Sequence, residues 1–211
     1  NDGLTVDTVA DGLTDLGVLQ NGVSAVELEA VEALIGVEVD ADAVLVAGLV
    51  ISHQTHHVDG GAAVSDVHLG YGTGVSSLKK YVELINSQNP DLILIAGDLI
   101  DNSVKPLLQE PFAEPLSTLK APMGIYMVPG NHEYISGIEE SYRFLERTPI
   151  RMLADSVVTL PNGLQLILRD DKHRHRDSKS YSSLEYLMAK VDKGRASFLV
   201  EHQPIQLSQI D

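Results

Sequence analysis

The stretch that decides the fold is Leu92-Ile93-Leu94-Ile95-Ala96-Gly97-Asp98-Leu99-Ile100-Asp101-Asn102. Five apolar residues in a row, bounded by Asn89-Pro90-Asp91 before and Gly97 after, are too short for a free-standing helix. They predict a strand covered on both faces of a sheet. Asp98 then stands at the strand's C-terminal end, the edge at which open α/β sheets bind ligands, and Gly97 lets the backbone approach closely whatever Asp98 holds. A Gly-Asp after a strand is also a common turn, so this stretch alone leaves both readings open.

Three other segments repeat the pattern. Ala62-Ala63-Val64-Ser65 leads into Asp66-Val67-His68, Ile125-Tyr126-Met127-Val128 leads through Pro129-Gly130 into Asn131-His132-Glu133, and Phe198-Leu199-Val200 leads into Glu201-His202. Core packing has no use for Asp, His or Asn at four strand ends. The order Asp-x-His, Gly-Asp-x-x-Asp, Gly-Asn-His-Glu and a lone His resembles the calcineurin-like metallophosphoesterases across Ala62 to Pro204. That family's last block, Gly-His-x-His, does not follow His202 before Asp211. The resemblance implies an α/β fold with mixed β-sheets in an α/β/β/α sandwich, here incomplete if the last block is missing.

The resemblance also implies a site. Asp98 would bridge two divalent ions, drawn from Mn, Fe, Zn or Co. Asp66 and His68 would complete one ion with a further His, and Asn131 and His202 would hold the other with another. His132 would face the substrate as the catalytic group, protonating the leaving oxygen or steadying the developing charge, a task suited to an imidazole that titrates near neutrality. Asp101 reads as a support behind the ligands or a turn residue, and Glu133 as a buttress of its loop. Tyr71 and Tyr134 could flank the substrate. Plainer readings stand beside these: Asp66 as a cap, His68 as a surface histidine, Asn131 as a left-handed turn residue, and His202 as the residue before a Gln203-Pro204 turn.

Two histidine clusters compete for the missing block. His173-Arg174-His175 has the spacing but precedes His202, in a polar loop with no strand leading into it, and reads as a solvated loop. Leu49-Val50-Ile51-Ser52-His53-Gln54-Thr55-His56-His57 looks like a strand followed by the block, with one residue too many, and it comes first rather than last. Either a rearranged connectivity makes His53 and His56 additional metal ligands, or the segment is a tail with several histidines, which is the favoured reading.

The 211 residues, 44% of them hydrophobic, allow one α/β domain of moderate size. The net charge of -15 is uneven: the first 78 residues hold 12 acidic and no basic side chains. No basic stripe is available to neutralise phosphates, which argues against nucleic acid as the main partner. Without cysteine, a metal site must use carboxylate, amide and imidazole donors. The longest apolar run, Ala43 to Ile51, falls far short of the roughly 20 residues of a membrane helix, and no secretory signal opens the chain. Membrane association through a segment outside this chain is implied by the resemblance alone.

Residues 1–61 read as an acidic segment, separate from or packed into a metallophosphoesterase domain at 62–211. Within it, Leu4 to Val9 and Leu13 to Leu19 flank Asp11-Gly12 as a hairpin, Val26 to Ile35 reads as an amphipathic helix ended by Gly36, and Val44 to Ile51 as a strand. Beyond it, a short strand before Asp66, helices around Leu78 to Ile85, Ile138 to Arg147 and Leu184 to Val191, and a hairpin about Asn162-Gly163 are expected. Two functions from different classes follow: hydrolysis of a phosphate monoester, diester or pyrophosphate, lipid-linked or not, at a binuclear centre; or an incomplete, non-catalytic metal-binding module.

Overall fold

A computed structural model describes residues 31–39, 44–53, 56–172 and 183–203, with side chains described from residue 60 onward. The hairpin at Leu4 to Leu19 and the His173-Arg174-His175 loop lie outside the described residues.

The run Leu92–Ala96 (β4) is a strand buried on both faces, as its unbroken hydrophobicity requires. It sits inside a six-stranded sheet of order β1-β2-β3-β4-β5-β6, where β1 is Val31–Val39, β2 Val44–His53, β3 His56–Ser65, β5 Gly124–Val128 and β6 Ile150–Met152. β1, β2 and β3 pair antiparallel, while β3, β4, β5 and β6 run parallel. The parallel strands need crossovers, supplied by α1 (Val75–Ser87) between β3 and β4, by the Pro-broken α2 (Lys105–Gln109) and α3 (Ala113–Leu116) before β5, and by α4 (Asn131–Ser136) and α5 (Ile138–Leu145) before β6. A second sheet, β7-β8-β9, follows: β7 (Ser156–Thr159) and β8 (Gln165–Leu168) form the hairpin about Asn162-Gly163, and β9 (Ser197–Val200) runs parallel to β8. α6 (Leu184–Met188) precedes β9 and is capped by Ser183.

Alternation along β4 shows how the layers assemble. Ile93 and Ile95 face a core shared with Leu78, Val82 and Ile85 of α1 and Phe144 and Leu145 of α5. Leu92 and Leu94 face the other way, into a core with Tyr126 and Val128 of β5 and Leu160, Leu164, Leu166, Leu168 and Val200 of the second sheet. The protein is therefore mixed α/β, with helices on one face of the first sheet and a second sheet on the other. Each fully buried Leu or Ile here stabilises the fold by about 1.5–3 kcal/mol. Ile167, turned by alternation to the outer face of the second sheet, is also buried, as are Leu184 and Leu187 of α6.

Three expectations change. Where Val26 to Ile35 reads as a helix, residues 31–39 form β1; Val31, Ala33, Ile35, Val37 and Val39 repeat every second residue, and pairing with β2 selects that period over the helical one. The strand before Asp66 is ten residues long, not short. It runs through residue 61, the expected edge of the acidic segment, and β1 and β2 share its sheet. A short helix, α4, starts on Asn131, where the sequence reading places no helix. Among the described residues, no helix is long and apolar enough to cross a membrane.

Candidate metal centre

Parallel pairing brings the C-terminal ends of β3, β4 and β5 to one edge of the first sheet. Asp66 and His68 follow β3, Asp98 follows β4, Asn131 and His132 follow β5, and His202 arrives from β9 of the second sheet. The backbone there is unusual. Asp66, His68 and Asp98 all have positive φ, of 56°, 49° and 52°. Left-handed non-glycine residues are uncommon and cost energy, so three at one strand-end cluster mark a functional constraint. The strained turns are tied together by Asp66 N and His68 N donating to the carbonyls of Gly97 and Asp98.

Two glycines make the approach of the loops feasible. Gly97 has a φ of 85°, and a Cβ there would sit 2.7 Å from the His202 ring. A Cβ on Gly130 would collide with the Asp98 carboxylate and backbone.

Asp98 is the centre of the arrangement and is 3% exposed. Its Oδ1 accepts the His132 backbone N–H at 2.9 Å. Its Oδ2 is ringed by three imidazole Nε2 atoms: His202 at 3.2 Å, His68 at 3.9 Å and His132 at 4.0 Å. His202 Nε2 also lies 3.2 Å from Asn131 Oδ1, which accepts Gln203 Nε2 at 2.8 Å. His202 Nδ1 lies 2.7 Å from the Ala96 carbonyl, a contact that leaves Nε2 to face the site when Nδ1 carries the proton. Asp66 is the most open member; Ser65 Oγ donates to its Oδ2, and its Oδ1 is 3.7 Å from His68 Nε2.

The electrostatics follow from this crowding. Burial opposes a charge on both Asp98 and His202. Their mutual hydrogen bond and attraction outweigh it, so His202 is pushed up to about 9 and Asp98 is held below the usual carboxylate range, helped by the His132 N–H and imidazole. Glu133 is fully buried, and its carboxylate accepts three backbone N–H groups: Asp98 at 2.9 Å, Ile100 at 2.9 Å and Gly130 at 2.7 Å. It thereby ties the loop after β4 to the loop after β5. Burial pushes this carboxyl above its ordinary range against the pull of the three donors, and the Asp98 charge adds to the rise. Asp101 Oδ1 lies 3.4 Å from His132 Nδ1, and the His132 and His68 rings meet edge to face with centroids 4.4 Å apart.

The donor set fits divalent ions. Nitrogens of ligands sharing one ion with a carboxylate oxygen stand about 3–4 Å from that oxygen when each bond is about 2.0–2.2 Å, which is the ring found around Asp98 Oδ2. Among the described residues, two groups of donors lie close enough for an ion: Asp66, Asp98 and His202, and His68, Asp101 and His132. The grouping differs from the expected division into Asp66 with His68 and Asn131 with His202. The 3.7 Å and 3.2 Å contacts within those two pairs keep the expected division within reach.

His53 and His56 are not brought to this edge. They pair with each other across the β2–β3 connection, at the start of β3, while Asp66 follows its end. At about 3.3 Å per residue, that is roughly 30 Å of strand. A strand this long cannot return its first residue to its last.

Sequence reading missed a polar network behind the centre. Arg169 Nη1 meets Glu201 Oε1 at 3.1 Å, with both side chains nearly buried, and Tyr134 Oη donates to Asp170 Oδ1 at 2.5 Å. The signal was present: Arg169-Asp170-Asp171 ends the apolar run Leu166 to Leu168 in the way the ligand blocks end theirs.

The calcineurin-like phosphoesterase model matches residues 62–209. A putative metallophosphoesterase of Caenorhabditis elegans is 37% identical over 150 residues, covering 68% of this chain and 30% of that protein. An uncharacterized metallophosphoesterase of Helicobacter pylori is 30% identical over 147 residues, 70% of this chain and 39% of that protein. A UDP-2,3-diacylglucosamine pyrophosphatase of Chlamydia trachomatis is 35% identical over 71 residues, 34% of this chain and 21% of that protein. The chain thus spans only about a third of the length of the first two relatives. With the model match running from the end of β3 past β9, through every residue gathered at the strand-end cluster, the chain belongs to the calcineurin-like phosphoesterase family.

Proposed function

We propose that this chain carries out metal-dependent hydrolysis of a phosphate ester at a binuclear centre. Asp98 would serve both ions, Asp66 and His68 would complete one, and Asn131 and His202 the other. The observation that carries this reading is the ring of three Nε2 atoms around one buried oxygen of Asp98. When bound, two divalent cations supply charge neutralisation for the phosphate and a water acidic enough to attack near neutral pH. The chain's own groups do the rest. Asp98 offsets the repulsion between two cations at close range. His132, oriented by Asp101 behind it and by the edge of His68, delivers a proton to the leaving oxygen or donates to the developing charge. Glu133 keeps Asp98 and Gly130 in register without touching substrate.

The substrate we assign is an amphiphilic phosphate ester or pyrophosphate. Tyr71, Leu108 and Ile135, on the segments that follow the three ligand blocks of the first sheet, are 77%, 60% and 50% exposed. A Cβ on Gly70 would lie 3.5 Å from Leu107 and 3.7 Å from Pro106, which sets the Tyr71 loop beside the helix carrying Leu108. Exposed apolar side chains on these segments suit an acyl or isoprenoid group attached to the phosphate. The pyrophosphatase of Chlamydia trachomatis, named for a diacylated sugar nucleotide, supports the same direction.

A second reading, a metal-binding module without turnover, draws on the distance of His53 and His56 from the centre, which leaves three protein donors for each ion among the described residues. Hydrolysis of bis(p-nitrophenyl) phosphate, p-nitrophenyl phosphate and pyrophosphate in the presence of Mn²⁺ separates the two. Turnover that EDTA removes and Mn²⁺ restores is expected; Mn²⁺ binding without turnover on any of the three would favour the module.

A further inference from the structure

We propose that Arg169, Glu201, Asp170 and Tyr134 form a positioning network that sets His202 and Asn131 as a unit, and so governs the affinity for one of the two ions without touching it. The inference rests on the binuclear reading above. Glu201 directly precedes His202, whose Nε2 lies 3.2 Å from Asp98 Oδ2, while the Glu201 carboxylate is engaged with a different partner. It meets Arg169 Nη1 at 3.1 Å, with the Arg169 side chain 1% exposed. Arg169 N donates to the Val200 carbonyl, so the pair also crosses from the end of β8 to the end of β9. The next residue, Asp170, accepts the Tyr134 hydroxyl and takes a backbone contact from its own N–H to Asp155 Oδ1 at 3.2 Å.

Tyr134 lies on the helix whose first residue is Asn131. The network therefore begins beside His202 and ends one helical turn from Asn131, and on the opposite side these two residues meet at 3.2 Å. A buried ion pair contributes little stability relative to an apolar pair of the same size, but it fixes geometry closely. That makes positioning the better account of Arg169 and Glu201. The described hydrogen bonds of Asp66 and His68 run instead to Ser65, Gly97, Asp98 and Thr73, all on the first sheet's side. Disturbing the network should consequently weaken one ion and spare the other.

The test is equilibrium dialysis of the metal-free 211-residue chain against Mn²⁺, with wild type, Glu201→Gln and Tyr134→Phe compared and each variant's melting temperature recorded. Glu201→Gln keeps the shape and removes the charge; Tyr134→Phe removes one hydroxyl and should fold in any case. Wild type is expected to bind two ions. In both variants the tighter of the two should weaken by about 10- to 100-fold, as is typical for partners outside the ligand shell, with the other within about twofold. Two ions bound unchanged by both variants, or both ions weakened equally, would overturn the positioning role. No Mn²⁺ bound by wild type would instead overturn the binuclear reading and this inference with it.

Discussion

The two sides of the candidate centre are built differently. On the Asn131 side the imidazole is packed in: His202 is 6% exposed at its side chain and is held by Ala96, Asp98 and the partly buried Asn131. On the Asp66 side the donors are open, with side chains 49% and 32% exposed for Asp66 and His68, and are held by backbone turns in the left-handed region. One side is fixed by side-chain packing between two sheets and the other by the strained exit of a single strand. Under the binuclear reading proposed above, the packed side would hold its ion firmly and the open side would exchange with solvent and substrate.

The largest effect should come from the residue both sides share. Asp98→Ala should remove both ions, as measured by metal analysis of the purified protein, because all three imidazoles gather around its one buried oxygen. Glu133→Ala comes next. It orphans the buried N–H groups of Asp98, Ile100 and Gly130, and chemical denaturation should report a loss of about 3 kcal/mol or more. Retained stability would show that the two loops hold their register without it.

His132→Ala should keep its metal content and lose turnover about 10²-fold or more. Loss of metal in this variant would move His132 from the substrate side into the ligand shell. A smaller effect concerns pH and the packed side alone. In the metal-free protein, the His202 pKa of about 9 lies above its ordinary 6.5, so the stabilisation it gains from Asp98 is fully present below about pH 6.5 and is lost as pH rises through 9. Asp98, held below its ordinary 3.8, contributes above that value and loses its contribution as pH falls through its folded pKa. The melting-temperature difference between wild type and His202→Gln should therefore shrink between pH 6 and 9.5. The smallest effect should come from His53→Ala and His56→Ala, which should leave metal content and turnover within about twofold, given the roughly 30 Å of strand between them and Asp66.

Much of this was legible in the sequence because the patterns are local. An unbroken apolar run such as Leu92 to Ala96 specifies a doubly buried strand, and Asn162-Gly163 specifies its hairpin. The four ligand blocks could be picked out because each ends an apolar run with a polar donor. Other features depend on distant partners and leave no local trace. Val31 to Ile35 satisfies both a period of 3.6 and a period of 2, and only pairing with β2 selects the second. The Arg169–Glu201 pair joins residues on two strands, and the Asp101–His132 contact joins two loops that only parallel pairing brings together. Whether His53 and His56 could reach the centre depended on the length of β3, which a histidine-rich motif does not report.

The most direct test of the central claim is the metal content of the wild-type chain set beside that of Asp98→Ala, read by mass spectrometry after dialysis against Mn²⁺ and removal of free ion. A binuclear centre organised on Asp98 predicts two ions per wild-type chain and fewer than about 0.2 in the variant. Equal metal content in the two proteins, or none in wild type, would contradict it.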